Sequence, residues 1–530
     1  MAVRLRTLVL FGLALAPSAM LAWRWRAMPH LGLHQDDALY LVGAKSLAED
    51  RAYRIDSLPG EPFQTKYPPL LPALLAPVWQ LGPPFPENLK PVTLFTWLLL
   101  PPCLLMLRAT FRHFSLSPRE VWLLTFAVAW HPLVCLLSTA IMSDLLFLTL
   151  MLGSLLLCGE PTAPASVSTA NRRARLTIAG LLAGLAFLTR TVALPLLITV
   201  PLCFWYRKQR RQAFWFVAGM LPAVVGWQVW ATVHQLSTRD PALIYYTSYL
   251  ALERLIVNAG NLPVVLWHNF DALLRSFGKL LLFDVATVQN VHLERILGVA
   301  AIVGTVRLVR RTGRVQYPAA ALGIAALLLA HMFTADERLS LPLYPLVLMG
   351  FWTEIKNFCR ALRTTWIRRR LSDRLAAGGA GAGLAVVTLS VAAAYFMGDA
   401  VFLPNLYRTC ERDLQTRQPA YQWIRSHAPP DATFYAYDDP DLYLYTGRRT
   451  LGLPMPPSRV YSGQDEREAD RFVAAVPRQA CGRGLDFLLI TGSDFYRERR
   501  AGRLAVVAAR DPALRKEFEA GSVAVYRCLR

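Results

Sequence analysis

The chain carries two adjacent carboxylates, Asp36 and Asp37, in the string His34-Gln35-Asp36-Asp37-Ala38-Leu39-Tyr40. Adjacent carboxylates can divide labour: one accepts a proton from a nucleophile while its neighbour holds a metal ion or orients the base, a division that suits group transfer. The bland alternative is helix capping, because from Asp37 to about Glu49 the residues Tyr40, Leu41, Ala44, Leu47 and Ala48 fall on one helical stripe that can lie along a membrane surface. Lys66, just before Tyr67-Pro68-Pro69, is a cation placed either to meet a lipid phosphate or to snorkel toward headgroups. Asp144 opens an otherwise uncharged apolar run, where an ionisable group is functional by default and a cap is the alternative. Arg190 and the triplet Asp336-Glu337-Arg338 stand at the ends of other apolar runs, where an arginine clamps a phosphate or anchors a helix.

The elements that must position these groups are membrane helices. Of 530 residues, 54% are hydrophobic and 18% charged, against about 25% charged in an ordinary soluble domain. Apolar runs near membrane length recur through the first 400 positions and predict about eleven transmembrane helices. They are placed at about 7–22, 88–107, 120–137, 141–158, 176–189, 192–206, 212–233, 291–310, 316–334, 339–355 and 377–397. The first is read as a retained helix rather than a cleaved signal, since Trp23-Arg24-Trp25-Arg26 resembles an interfacial anchor more than a cleavage site. The formal charge of +21 sits in short basic blocks between apolar runs, such as Arg207-Lys208-Gln209-Arg210-Arg211. That pattern orients helices and argues against a nucleic-acid partner. With the N-terminus cytoplasmic, an odd number of crossings makes 24–87 the first external loop and puts 398–530 outside as well. The proline-rich stretch 68–82 is too short to span and is expected to be interfacial or re-entrant.

The motifs in order carry a resemblance. Asp36-Asp37 with Tyr40, Lys66-Tyr67-Pro68-Pro69, Ser143-Asp144, the run Gly180-Leu181-Leu182-Ala183-Gly184-Leu185-Ala186-Phe187-Leu188-Thr189-Arg190, and Glu337-Arg338 before Leu341-Pro342-Leu343-Tyr344-Pro345 together resemble the glycosyltransferase C superfamily. Within it, the chain is similar to the bacterial branch that includes protein O-mannosyltransferases and lipid A aminoarabinose transferases. The resemblance covers roughly residues 1–400 and implies a transmembrane glycosyltransferase domain, 1–397, in a bacterial inner membrane. It implies transfer of a sugar from a polyprenyl phosphate to an external acceptor, with Asp36 and Asp37 as the catalytic centre and Asp144 as partner. Any divalent cation would be held by Asp36, Asp37 and Asp144. Donor phosphate would be met by Lys66, with Arg190 and Arg338 as weaker transfers. Tyr40, Tyr67, Glu337 and the pair Tyr245-Tyr246 of the loop 234–285 would line the substrate groove. Protein mannosyltransferases commonly have Asp-Glu where this chain has Asp36-Asp37, so the base stays open between the two.

Residues 398–530 are compositionally different and read as a small α/β domain. Helices are expected at about 415–427 and 465–476, with strands at 433–437, 487–491 and 522–527. Asp438-Asp439-Pro440-Asp441 reads as a turn. Of eight cysteines, Cys410, Cys481 and Cys528 lie in this tail, and Cys481 and Cys528 would meet if the strands following them and ending at them were antiparallel neighbours. Cys410 is the competing partner. The sequence has no P-loop, no His-Glu-x-x-His and no Gly-x-Ser-x-Gly, and Gly378–Gly383 is read as small-residue helix packing rather than a dinucleotide loop. The rival functional class is a secondary transporter or flippase, for which repeated halves and ionisable residues at helix midpoints would be expected.

Overall fold

In the computed structural model the described residues are 2–159, 169–282, 290–368, 389–453, 466–496 and 498–529. Most are helical, and a five-stranded sheet closes the C-terminal region. Leu5–Arg24, Leu89–His113, Arg210–His234 and Leu389–His427 are long and apolar enough to cross a membrane. A fifth crossing arises if Pro118–Ala129 and Pro132–Thr139, bent by 59°, act together. Among the described residues, length and composition thus support four or five of the roughly eleven expected crossings. Asp144–Cys158 and Gln316–Ala330 are shorter apolar helices, and the expected span 377–397 with Gly378–Gly383 lies largely outside the described residues.

Local chemistry explains several boundaries. Ser117 and Glu120 form a reciprocal capping box that starts Pro118–Ala129, and Pro132 prevents that helix from continuing, which produces the bend. Thr169–Phe187 crosses Arg210–His234 where glycines remove the side chains: a Cβ on Gly180 would lie 2.0 Å from the Phe216 carbonyl oxygen, and one on Gly219 would lie 2.2 Å from that of Thr177. Gly180 and Gly184 therefore serve close helix packing, and the helix they seat ends just before Arg190. Residues 68–82 form a helix, Leu70–Leu81, whose 12 residues extend about 18 Å, short of a hydrocarbon core of about 30 Å.

The helix Asp36–Glu49 corrects one expectation. It does not lie on a surface by one apolar stripe. Every residue from Asp37 to Ala44 is buried, because Leu70–Leu81 packs against it and the C-terminal region covers it through the helix Asp439–Thr446. Surface amphipathicity is lost when a helix is enclosed all round.

The C-terminal region begins without a break. One helix runs from Leu389 through a π-helical turn at Gly398–Phe402 to His427, across the expected boundary at 398. The sheet has strands β1 (Thr433–Tyr435), β2 (Arg449–Leu451), β3 (Phe487–Ile490), β4 (Leu514–Ala520) and β5 (Val523–Cys528), in the order β2-β1-β3-β5-β4. β1 is parallel to β2 and β3, while β5 is antiparallel to both β3 and β4. Gly521, at φ +59°, makes the two-residue turn between β4 and β5. The stretch read as a turn, Asp438-Asp439-Pro440-Asp441, instead starts a helix, with Pro440 in the first turn where no amide donor is needed. The helix Glu498–Arg510 and strands β2 and β4 are additions; β4 is a charged edge strand, Leu-Arg-Lys-Glu-Phe-Glu-Ala, whose sequence hides its conformation.

Cys481 and Cys528 form the disulfide, with Cα atoms 5.6 Å apart, and Cys410 is a free thiol. Cys481 leads toward β3 and Cys528 ends β5, its antiparallel partner, which is the arrangement the strand argument requires. The bond closes 47 residues of sequence, and its loss through Cys481→Ala/Cys528→Ala is expected to cost about 2–4 kcal/mol of the tail's stability. Thermal unfolding monitored by proteolysis of the tail checks this, with unchanged resistance to cleavage as the contrary result.

Candidate active site

Asp36 sits in the first turn of its helix, after a sharp reversal in which Gln35 adopts φ +57°. Its Oδ1 accepts a 2.6 Å hydrogen bond from the Tyr67 hydroxyl, and its Oδ2 accepts one of 2.9 Å from Arg338 Nη2. Asp36 and Arg338 retain side-chain exposures of 20% and 19%, so this pair faces an open space. Burial by itself raises the Asp36 carboxyl, but Arg338, the Tyr67 hydroxyl and Lys66 together bring it below the usual carboxylate range. It is therefore ionised at neutral pH.

Asp37 points elsewhere. Its Oδ2 accepts the Gly32 amide at 3.0 Å and its Oδ1 the Ala38 amide at 3.0 Å, and the side chain is fully buried. Burial, reinforced by the neighbouring Asp36 charge, pushes its carboxyl up to about 7. Successive positions on a helix differ by about 100°, so the adjacency in sequence does not become a shared site.

Lys66 is buried and its Nζ donates to the Tyr245 carbonyl at 2.7 Å. The rings of Tyr245, Tyr249 and Tyr67 face the ammonium with centroids at 4.2, 4.8 and 5.0 Å. Gln64 turns the backbone here by accepting the amides of both Lys66 and Tyr67 at 3.0 Å. No carboxylate among the described residues is in ion-pair contact with Lys66, and burial lowers its pKa to about 8 against the opposing pull of Asp36.

Asp144 forms an ion pair with Arg190, the last residue of the Gly180–Arg190 motif. Arg338 and Arg190 are thus each engaged by one carboxylate. Tyr40 donates to or accepts from Ser143 Oγ at 3.0 Å and packs edge-on against Tyr67, 5.5 Å between centroids. Of the expected groove residues, Tyr40, Tyr67 and Tyr245 come together with Asp36 and Lys66. Glu337 is turned to Lys279, at 3.1 Å, and Tyr246 is turned to the C-terminal region.

That last contact brings in residues that sequence reasoning missed. The Tyr246 hydroxyl and Gln35 Nε2 both donate to Asp439 Oδ1, at 2.8 and 2.9 Å, while the Tyr245 hydroxyl donates to Gln35 Oε1 at 2.8 Å. Asp439 therefore braces both the turn that presents Asp36 and the segment whose carbonyl holds Lys66. Nearby, Thr450 N donates to the Ser57 carbonyl at 2.7 Å and Arg449 pairs with Glu61. Tyr249 and His34 also belong to the cluster. The Asp438–Asp441 string signals a turn as readily as a contact, so nothing in its composition pointed here.

The residues do not fit a metal centre of Asp36, Asp37 and Asp144. Among the described residues no three His, Cys, Asp or Glu side chains converge to hold an ion, and these three carboxylates are engaged by Arg338 and Tyr67, by backbone amides, and by Arg190 respectively.

Neither a scan of protein-family models nor a sequence search of curated proteins returns a match. Solved structures do match. ArnT from Cupriavidus metallidurans, bound to undecaprenyl phosphate, superposes with a TM-score of 0.52 at 13% identity, over 96% of this chain and 97% of that one. The apo oligosaccharyltransferase of Archaeoglobus fulgidus matches with a TM-score of 0.52 at 12% identity, over 94% of this chain and 72% of that one. The chain has the glycosyltransferase C fold. For a glycosyltransferase C fold of this kind, the match to ArnT extends through the C-terminal region as well as the helices, so the tail is part of the shared architecture rather than an appendage.

Proposed function

We propose that this protein is a membrane glycosyltransferase that moves a sugar from a polyprenyl phosphate to an acceptor, with inversion, at a site centred on Asp36. The observation that carries the proposal is the pairing of an ionised, partly open carboxylate, Asp36, with a buried lysine, Lys66, that has no acidic partner among the described residues. A cation held in an aromatic box without a counter-ion is suited to a phosphate. The fold supports the reading, since the ArnT structure that it matches is bound to undecaprenyl phosphate.

In this mechanism the donor phosphate lies against Lys66 and its polyprenyl chain runs beside the helix Leu70–Leu81. The acceptor attacks the anomeric carbon, the bond from that carbon to the phosphate oxygen breaks, and its electron pair leaves with the polyprenyl phosphate. The acceptor proton passes to the Asp36 carboxylate. Tyr67 and Arg338 keep that carboxylate oriented, and the Lys66 charge offsets the charge developing on the phosphate. Asp37 acts on the backbone of the turn rather than on substrate, which supports Asp36 as the base. We place the site on the external face, with a cytoplasmic N-terminus. In support, the tail and the first loop touch at Gln35, Ser57 and Glu61 and so share one side of the membrane, and the Cys481–Cys528 disulfide suits an oxidising compartment.

The test is a lipid-linked sugar analysis of cells lacking the protein, with wild-type and Asp36→Asn complementation. A polyprenyl phosphate sugar is expected to accumulate in the deletion and the mutant, and an unchanged pool would contradict the proposal. Reporter fusions at Arg417 and Arg210 test the topology, with external and cytoplasmic signals expected in that order.

The lysine also sets a pH dependence. The cationic form binds phosphate, and in the free protein it is lost as pH rises through about 8. Undecaprenyl phosphate affinity is therefore expected to be full at pH 7 and to weaken above pH 8, with that dependence removed in Lys66→Arg. Titration by tryptophan fluorescence at several pH values measures it; a flat wild-type profile would assign the phosphate to another cation.

A further inference from the structure

Two buried polar atoms beside Asp36 have no hydrogen-bond partner among the described residues: Asp144 Oδ2 and His34 Nε2. Asp144 is 2% exposed and its other oxygen is held by Arg190. His34 lies within electrostatic reach of Arg338, Asp36 and Asp144, and burial followed by the Arg338 charge lowers its pKa to about 4, which keeps the ring neutral at pH 7. Unpaired buried polar atoms cost free energy unless a ligand satisfies them.

Their chemistry restricts that ligand. Asp144 Oδ2 is an acceptor only, and neutral His34 Nε2 can accept or donate. On this side of the site each arginine already has a carboxylate, Arg338 with Asp36 and Arg190 with Asp144. A second phosphate would bring negative charge toward Asp144 without a hydrogen to offer it, and would find no uncommitted arginine. A polyol brings several O–H groups and no charge, so one hydroxyl can reach Asp36 while its neighbours satisfy Asp144 and His34.

Resting on the transferase reading above, we propose that the acceptor is a glycan, that its nucleophile is a neutral sugar hydroxyl rather than a phosphate, and that His34 and Asp144 bind it. The reaction then forms a glycosidic oxygen–carbon bond, breaks the carbon–oxygen bond to the donor phosphate, and moves the hydroxyl proton to Asp36. His34 contacts the acceptor and has no part in donor binding.

The experiment compares envelope glycans from cells lacking the protein with cells complemented by wild type, Asp36→Asn, His34→Ala and His34→Gln. Methylation analysis and ³¹P NMR identify the linkage of the sugar that wild type restores. The expected result is a glycosidic linkage to a sugar hydroxyl that survives the mild acid that cleaves glycosyl phosphates. His34→Ala should lower transfer roughly tenfold or more while purified His34→Ala binds undecaprenyl phosphate with unchanged affinity, and His34→Gln should recover most of the transfer. A sugar found on phosphate or on a protein side chain overturns the proposal by itself, whichever variants fold. Full transfer by His34→Ala, or a loss of undecaprenyl phosphate binding by folded His34→Gln, overturns the role of His34. If wild type restores no sugar, or Asp36→Asn restores it fully, the transferase reading fails first, and the acceptor proposal falls with it.

Discussion

Asp36→Asn is expected to lower the transfer rate by roughly 10²–10⁴, the usual cost of losing a general base, while undecaprenyl phosphate binding stays close to wild type. Asparagine keeps an oxygen for the Tyr67 hydroxyl but cannot take the acceptor proton, so the loss should fall on turnover rather than on donor affinity. Asp37→Asn is expected to behave differently. The Asp37 carboxyl meets only the amides of Gly32 and Ala38 among the described contacts, and asparagine can keep one of these bonds. Its effect should appear in thermal stability and in a modest loss of rate through displacement of Asp36. Single-turnover rates with a radiolabelled lipid-linked sugar, measured beside melting curves in detergent, separate the two cases. Equal, near-complete losses of rate for both variants at unchanged stability would return the pair to shared catalysis.

Arg190→Ala should unfold more protein than any other single change at the site. It leaves Asp144, 2% exposed, without its counter-charge, and breaking a buried ion pair by removing one partner costs about 3–5 kcal/mol. Arg190 itself keeps 17% exposure, so water screens part of the pair and the lower end of that range is expected. Asp144→Asn combined with Arg190→Ala should recover much of the stability, because no uncompensated charge then remains, yet transfer should stay low if Asp144 binds the acceptor. Melting temperatures of the two single variants and the double variant measure the coupling. An additive double variant would mean that the two charges do not depend on each other.

The C-terminal region has a part in the site that its composition conceals. Asp439 holds Gln35 and Tyr246, and through them the turn before Asp36 and the carbonyl beneath Lys66. A Cβ on Gly32, where φ is +85°, would sit 2.2 Å from Asp441 Oδ2, so the turn is shaped to accept the tail. The placement of Asp36 and Lys66 is therefore coupled to tail docking, and weakening the tail is expected to disturb both.

What the sequence determined by itself was the predominance of apolar helix, the chemically interesting residues Asp36, Lys66, Asp144, Arg190 and Arg338, and Cys481–Cys528 as one of the pairings open to the tail's cysteines. Each depends on a short-range signal: apolar length, a charge beside an apolar run, or the alternation of neighbouring strands. Pairing among the charges was decided only by tertiary structure. Arg338 meets Asp36 across 302 positions and Asp439 meets Gln35 across 404, and nothing in local composition selects one carboxylate over another for a given arginine. The same holds for the divergence of Asp36 from Asp37, since adjacent helical residues share a sequence but not a face. It holds for the enclosure of Asp37–Ala44 as well, because a helix carries the pattern of its own stripe and no mark of the distant elements that cover its other sides.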